Sequence, residues 1–112
     1  MKLKEIIQKL NLKVLSATSN LDMEVQGGYV GDLMSDVIAN SKKNDVWVTI
    51  QVHQNIIAVA QLKELSGIII VNGRIVEEET LKKAEEENIP IMVTELPSFE
   101  IAGLLYGLGL SR

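Results

Sequence analysis

Two uninterrupted apolar runs constrain this chain most. Ile68-Ile69-Ile70-Val71 ends at Asn72-Gly73, and Ile91-Met92-Val93-Thr94 opens after Pro90. A half-exposed strand alternates apolar and polar residues, because successive side chains point to opposite faces. A run apolar at every position instead fits a strand buried on both faces. Between the runs lies a charged segment, Glu77 to Asn88, with Leu81 and Ala84 facing inward at helical spacing. Strand, helix and strand in that order make a βαβ unit. Its two strands are parallel, and its helix covers one face of the sheet.

The rest of the chain follows the same alternation. Leu3, Ile6, Ile7 and Leu10 fall on one helical stripe, with Lys2, Lys4 and Lys9 off it. Lys13 to Ala17 reads as a first strand, and Met23 to Val25 as a second short one. Gly27-Gly28 reads as a tight turn requiring positive φ, or as a loop that lets an anion approach backbone N–H groups. Neither GxxxxGK[ST] nor GxGxxG is present. Asp32 is placed to cap a helix carrying Leu33, Met34, Val37 and Ile38. Val46 to Ile50 is a strand, followed by His53-Gln54-Asn55 and a helix, Ile56 to Leu62, apolar nearly all round. In the acidic segment, Glu78–Lys82 and Glu79–Lys83 are spaced as i,i+4 pairs. Pro97 and Ser98 open a last apolar helix, Phe99 to Leu110, in which Ser98 is the expected cap.

These readings predict an α/β fold: one domain over residues 1–112, with a mostly parallel sheet of about four strands and helices on both faces. Composition narrows the chemistry. The 112 residues contain no cysteine and one histidine, which excludes disulfides, Cys-ligated clusters, thiol catalysis and a multi-His metal site. No cofactor is expected. Net charge is −4, which argues against a general affinity for nucleic acid. No apolar run approaches the roughly 20 residues that span a bilayer. Met1 to Leu10 carries three lysines and no continuous apolar stretch. A cytoplasmic protein without a secretory leader is therefore expected.

In an open parallel sheet, ligands bind beyond the carboxyl ends of the strands. The polar residues expected there are Ser16 and Thr18, then Gln51, His53 and Gln54, then Asn72, Gly73 and Arg74, and finally Thr94 and Ser98. Arg74 is the only arginine before the terminal residue, and it suits a carboxylate or phosphate. The alternative is that these residues cap helices and end strands without binding anything.

Taken in order, GGYVGDLMSDVI (Gly27–Ile38), VHQN (Val52–Asn55), SGIIIVNG (Ser66–Gly73), the acidic helix and NIPIMVTELPSFEIAGLLY (Asn88–Tyr106) resemble a DRTGG domain. They are also similar to the N-terminal domain of HPr kinase/phosphorylase. The resemblance runs from about Val14 to Leu110. It implies an α/β module, here a stand-alone copy, that regulates or senses and does not catalyse; such domains occur beside CBS-domain pairs and phosphotransacetylase domains. Where the name-giving pattern has Gly-Asp-Arg and Thr-Gly-Gly, this chain has Val52-His53-Gln54 and Val71-Asn72-Gly73.

The function expected is a non-catalytic regulatory module that binds a small polar or anionic ligand or a partner protein and acts as a homo-oligomer. The alternatives are an assembly subunit of a larger, hydrogenase-associated complex with no ligand, and a small enzyme with His53 and Glu95 as acid–base pair. The helices Ile56–Leu62 and Phe99–Leu110 are the expected dimer surfaces. One sheet face covers only one side of each, and soluble monomers rarely leave large apolar patches bare.

Overall fold

A computed structural model describes residues 1–111. Among them are five strands: β1 (Lys13–Val14), β2 (Gly27–Val30), β3 (Asp45–Thr49), β4 (Gly67–Ile70) and β5 (Ile91–Val93). Five helices accompany them: α1 (Leu3–Leu10), α2 (Met34–Asn40), α3 (Asn55–Lys63), α4 (Glu78–Glu86) and α5 (Ser98–Gly107). The sheet order is β1-β5-β4-β3-β2. Strands β2 to β5 are parallel, and β1 runs antiparallel along β5, with Lys13 opposite Val93.

The apolar runs work as their pattern requires. Trp47, Ile68, Ile70 and Ile91 point to one face, where Val37 of α2, Ile56, Ile57, Val59 and Ala60 of α3, and Ala84 of α4 meet them. Val46, Val48, Ile69, Val71 and Met92 point to the other, against Leu3, Ile6 and Leu10 of α1 and Ile101 and Leu105 of α5. Each run thus feeds two cores at once. The layout of helices follows from topology. The parallel strands advance in one direction across the sheet, and crossovers between parallel strands are right-handed. All three crossover helices therefore land on the same face, leaving the other to α1 and α5.

Several local expectations change. The sheet has a fifth strand, because Gly27-Gly28 lies inside β2, paired with Asp45 and Val46, and neither glycine has positive φ. It is neither a tight turn nor an anion loop. Met23–Val25 is not a strand: Glu24 makes a single bridge to Lys2, and Val25 is buried. Asp32 caps no helix. Its Oδ1 accepts from Thr49 Oγ1 and from the Ile50 N–H, both at 2.9 Å, so it ties the loop after β2 to the end of β3 instead. Helix α5 stops at Gly107, its cap position is Pro97, and Ser98 is its first residue. In α4, Lys83 pairs with Glu87 at 3.6 Å rather than with Glu79.

The larger correction concerns α3. Four of its apolar side chains are buried within the chain, and of its large apolar residues only Leu62 is exposed. Sheet and flanking helices together cover what one sheet face alone cannot. Helix α5 keeps the expected bare side: Phe99 is 88% and Tyr106 71% exposed.

Candidate functional site

The connection after β4 leads to α4 on one face, whereas the connection after β5 leads to α5 on the other. Two neighbouring strands whose exits part in this way open a crevice at their carboxyl ends. The structure has a cleft of about 520 Å³ there, lined by Gly73 and Arg74 from the β4 exit, Thr94, Glu95 and Leu96 from the β5 exit, and Val93, Leu10, Asn11 and Lys13.

The backbone of this cleft is fixed. Asn72 and Gly73 both have left-handed φ, 64° and 63°. Consecutive left-handed residues turn the chain tightly, and they are most easily met by asparagine followed by glycine. The turn is tied to the β5 exit twice: the Asn72 N–H donates to Leu96 O at 3.0 Å, and the Gly73 N–H donates to Thr94 O at 2.9 Å. Thr94 Oγ1 accepts from the Leu96 N–H at 3.2 Å. The Glu95 carboxylate lies over Gly73, where any β-carbon would strike it. Arg74 follows this turn and lines the cleft.

Lys13 reaches the cleft because β1 is antiparallel. Its first residue, not its last, lies at the carboxyl ends of the other strands. The same reversal sends Ser16 and Thr18 to the far end of the sheet. There Ser16 Oγ donates to Ile89 O at 2.8 Å and accepts from the Ile91 N–H at 2.9 Å, a structural tie. Among the described residues, neither Lys13 nor Arg74 pairs with a carboxylate.

The cleft therefore gathers Gly73, Arg74 and Thr94 from the ten expected positions. Asn72 contributes through its backbone. The β3 exit stands apart: Gln51 Nε2 donates to Asp32 O at 2.8 Å, and His53 Nδ1 lies 2.7 Å from Glu77 Oε2 on an exposed surface. His53 thus meets Glu77 and not Glu95, so the supposed acid–base pair is not assembled. Gln54 faces a small polar hollow with Glu79, Lys82, Lys83 and Glu86, and Ser98 opens α5. Sequence reasoning missed Lys13, Asn11, Leu10 and Leu96 as cleft residues. Leu96 follows from the β5 exit, but only the direction of β1 reveals the other three, and a two-residue edge strand carries no signal of direction.

A second arrangement orders the edge by β2. The Tyr29 hydroxyl donates to Asp36 Oδ2 at 2.6 Å, and Asn40 Nδ2 donates to Asp36 Oδ1 at 2.9 Å. The hydrogen bond to that carboxylate holds the Tyr29 hydroxyl above its ordinary pKa.

No curated protein sequence matches this chain. Among solved structures it is similar to the CBS and DRTGG domains of the regulatory region of Clostridium perfringens pyrophosphatase, complexed with activator, diadenosine tetraphosphate, with a TM-score of 0.70 at 17% identity. The match covers 92% of this chain and 45% of that one, so this chain spans less than half the length of that structure. At that identity the likeness concerns the fold. The sequence profile of the DRTGG domain matches residues 5–108, nearly the whole chain. The chain belongs to the DRTGG domain family.

Proposed function

We propose that this chain is a regulatory module, not an enzyme, that binds a small anionic ligand in the cleft between the exits of β4 and β5. The observation that carries the reading is the convergence of Arg74 and Lys13, both without carboxylate partners, on a crevice where the sheet's connections part. Arginine offers a planar fork of donors to phosphate or carboxylate, and lysine adds a point charge. The regulatory region of the pyrophosphatase, which shares this fold, was solved with an anionic dinucleotide, and that agrees with the class of ligand. Ligand screening by thermal shift tests the reading, using pyrophosphate, nucleoside phosphates and diadenosine tetraphosphate. A ligand that binds only the native state raises the melting temperature. The rise should be lost in Arg74→Ala; a rise kept in that variant would place the ligand elsewhere.

The module acts as a homodimer through α5. Phe99, Ala102, Gly103 and Tyr106 are spaced i, i+3, i+4, i+7, which sets them in one stripe. Small residues occupy its middle and aromatic rings its ends. A β-carbon at Gly103 would meet nothing within 4 Å, so the middle of the stripe is open. Such a stripe is complementary to itself about a two-fold axis: the small residues cross, and each Phe99 lies against the other copy's Tyr106. Light scattering at micromolar concentration checks it, and a monomer mass would reject this interface.

A further inference from the structure

We infer that the cleft selects ligands carrying both an anionic group and a hydrogen-bond donor, an ammonium or a sugar diol, with Glu95 as the discriminating residue. This rests on the reading of the cleft as an anion site and adds what else the ligand must carry.

Lys13 and Arg74 can only donate, whereas an ionised carboxylate can only accept. All three line one cleft, yet Glu95 forms an ion pair with neither cation among the described residues. A site meant for bare anions gains nothing from a carboxylate in its wall, because like charges repel. Glu95 is exposed, but its place in the wall is set by the backbone. Its neighbours on both sides are fixed by the bonds from Asn72 and Gly73, and its carboxylate fills the space left by the missing side chain of Gly73. The apolar groups of Leu10, Val93 and Leu96 also line the cleft and suit the carbon skeleton that joins the two groups of such a ligand. The bound molecule thus meets both donors and an acceptor in one cleft.

Equilibrium binding to the full chain tests this with three probes: pyrophosphate (anion alone), O-phosphoserine (anion and ammonium) and ribose 5-phosphate (anion and diol). The wild type should bind at least one donor-bearing probe more tightly than pyrophosphate, and which one identifies the donor. Glu95→Gln keeps the size of the side chain over Gly73. It should weaken the preferred probe by about tenfold, the scale of one charge-assisted hydrogen bond, and tighten pyrophosphate. If Glu95→Gln shifts all three probes in the same direction, or if pyrophosphate is the tightest ligand of the wild type, the selection is wrong while the anion site stands. If Arg74→Ala leaves all three unchanged, or none binds at millimolar concentration, the anion site itself is wrong and the selection falls with it. Thermal melts of each variant confirm that it folds.

Discussion

Helices α3 and α5 read alike in the sequence, and the fold treats them differently. Both are apolar around most of their circumference. Helix α3 is the middle of three crossover helices on one face, so the sheet lies beneath it and α2 and α4 stand on either side. Helix α5 shares its face with α1 alone, and its outer stripe stays bare. The apolar content of a helix states how much surface must be covered. The direction in which the strands advance decides whether the chain itself covers it.

The sharpest way to break this comparison is to truncate one apolar side chain in each helix. Ile57→Ala should cost about 2–5 kcal/mol, since its side chain is fully buried in the core. Phe99→Ala should change monomer stability by about 0.5 kcal/mol or less, because an exposed ring has little packing to lose. Denaturant unfolding of both gives the answer, and equal losses would mean that Phe99 is covered within the chain.

A smaller effect sharpens the account of how α3 is walled in. Thr80 of α4 donates a buried 2.7 Å hydrogen bond to Val52 O, just before α3 begins. Thr80→Val keeps the shape and strands that carbonyl, and it should cost about 1–3 kcal/mol by thermal or denaturant melts. On the other helix, Tyr106→Glu should leave stability within about 0.5 kcal/mol of wild type. It places a charge in the proposed two-fold contact, where the ring would lie against the other copy's Phe99, so light scattering should report monomers.

The smallest effect concerns α1, the only helix beside α5. Lys4 Nζ lies 2.7 Å from Asp22 on the surface. The Lys4 ammonium holds the Asp22 carboxyl below its usual pKa, and the carboxylate raises that of Lys4. The lowered carboxyl contributes stability above the ordinary carboxylate range and loses it as pH falls through about 4. The raised ammonium contributes below about 10 and loses its share as pH rises further. The difference between wild type and Asp22→Asn should therefore be present from about pH 5 to 9, vanish in acid, and shrink with added salt.

Much of this was legible in the residues themselves. Strands β3, β4 and β5 announce themselves because burial on both faces demands solid apolar runs, and Pro90 and Asn72-Gly73 mark their limits. Strand β2 hides because Gly27-Gly28 has no side chains with which to show a pattern. The site was half legible. Gly73, Arg74 and Thr94 follow from strands that could be read. Lys13 depends on the antiparallel course of β1, and the role of Asp32 depends on Thr49 lying across from it, a pairing that no local spacing encodes.

The course of β1 has a consequence for the order in which the molecule assembles. Each neighbouring pair among β2 to β5 closes a short loop, but β1 meets β5 80 residues along the chain, through two paired residues, the Leu15 N–H to Ile91 O bond of 2.8 Å and the Ser16 tie to Ile89 and Ile91. Contacts so distant in sequence form late, and a seam so short opens most readily. Lys13 travels with that seam, so the cleft exists only when the seam is shut. An occupant of the cleft should hold the two ends of the chain together. Hydrogen exchange would then record binding as slower exchange of the Leu15 amide, while the amides of β3 and β4 keep their rates.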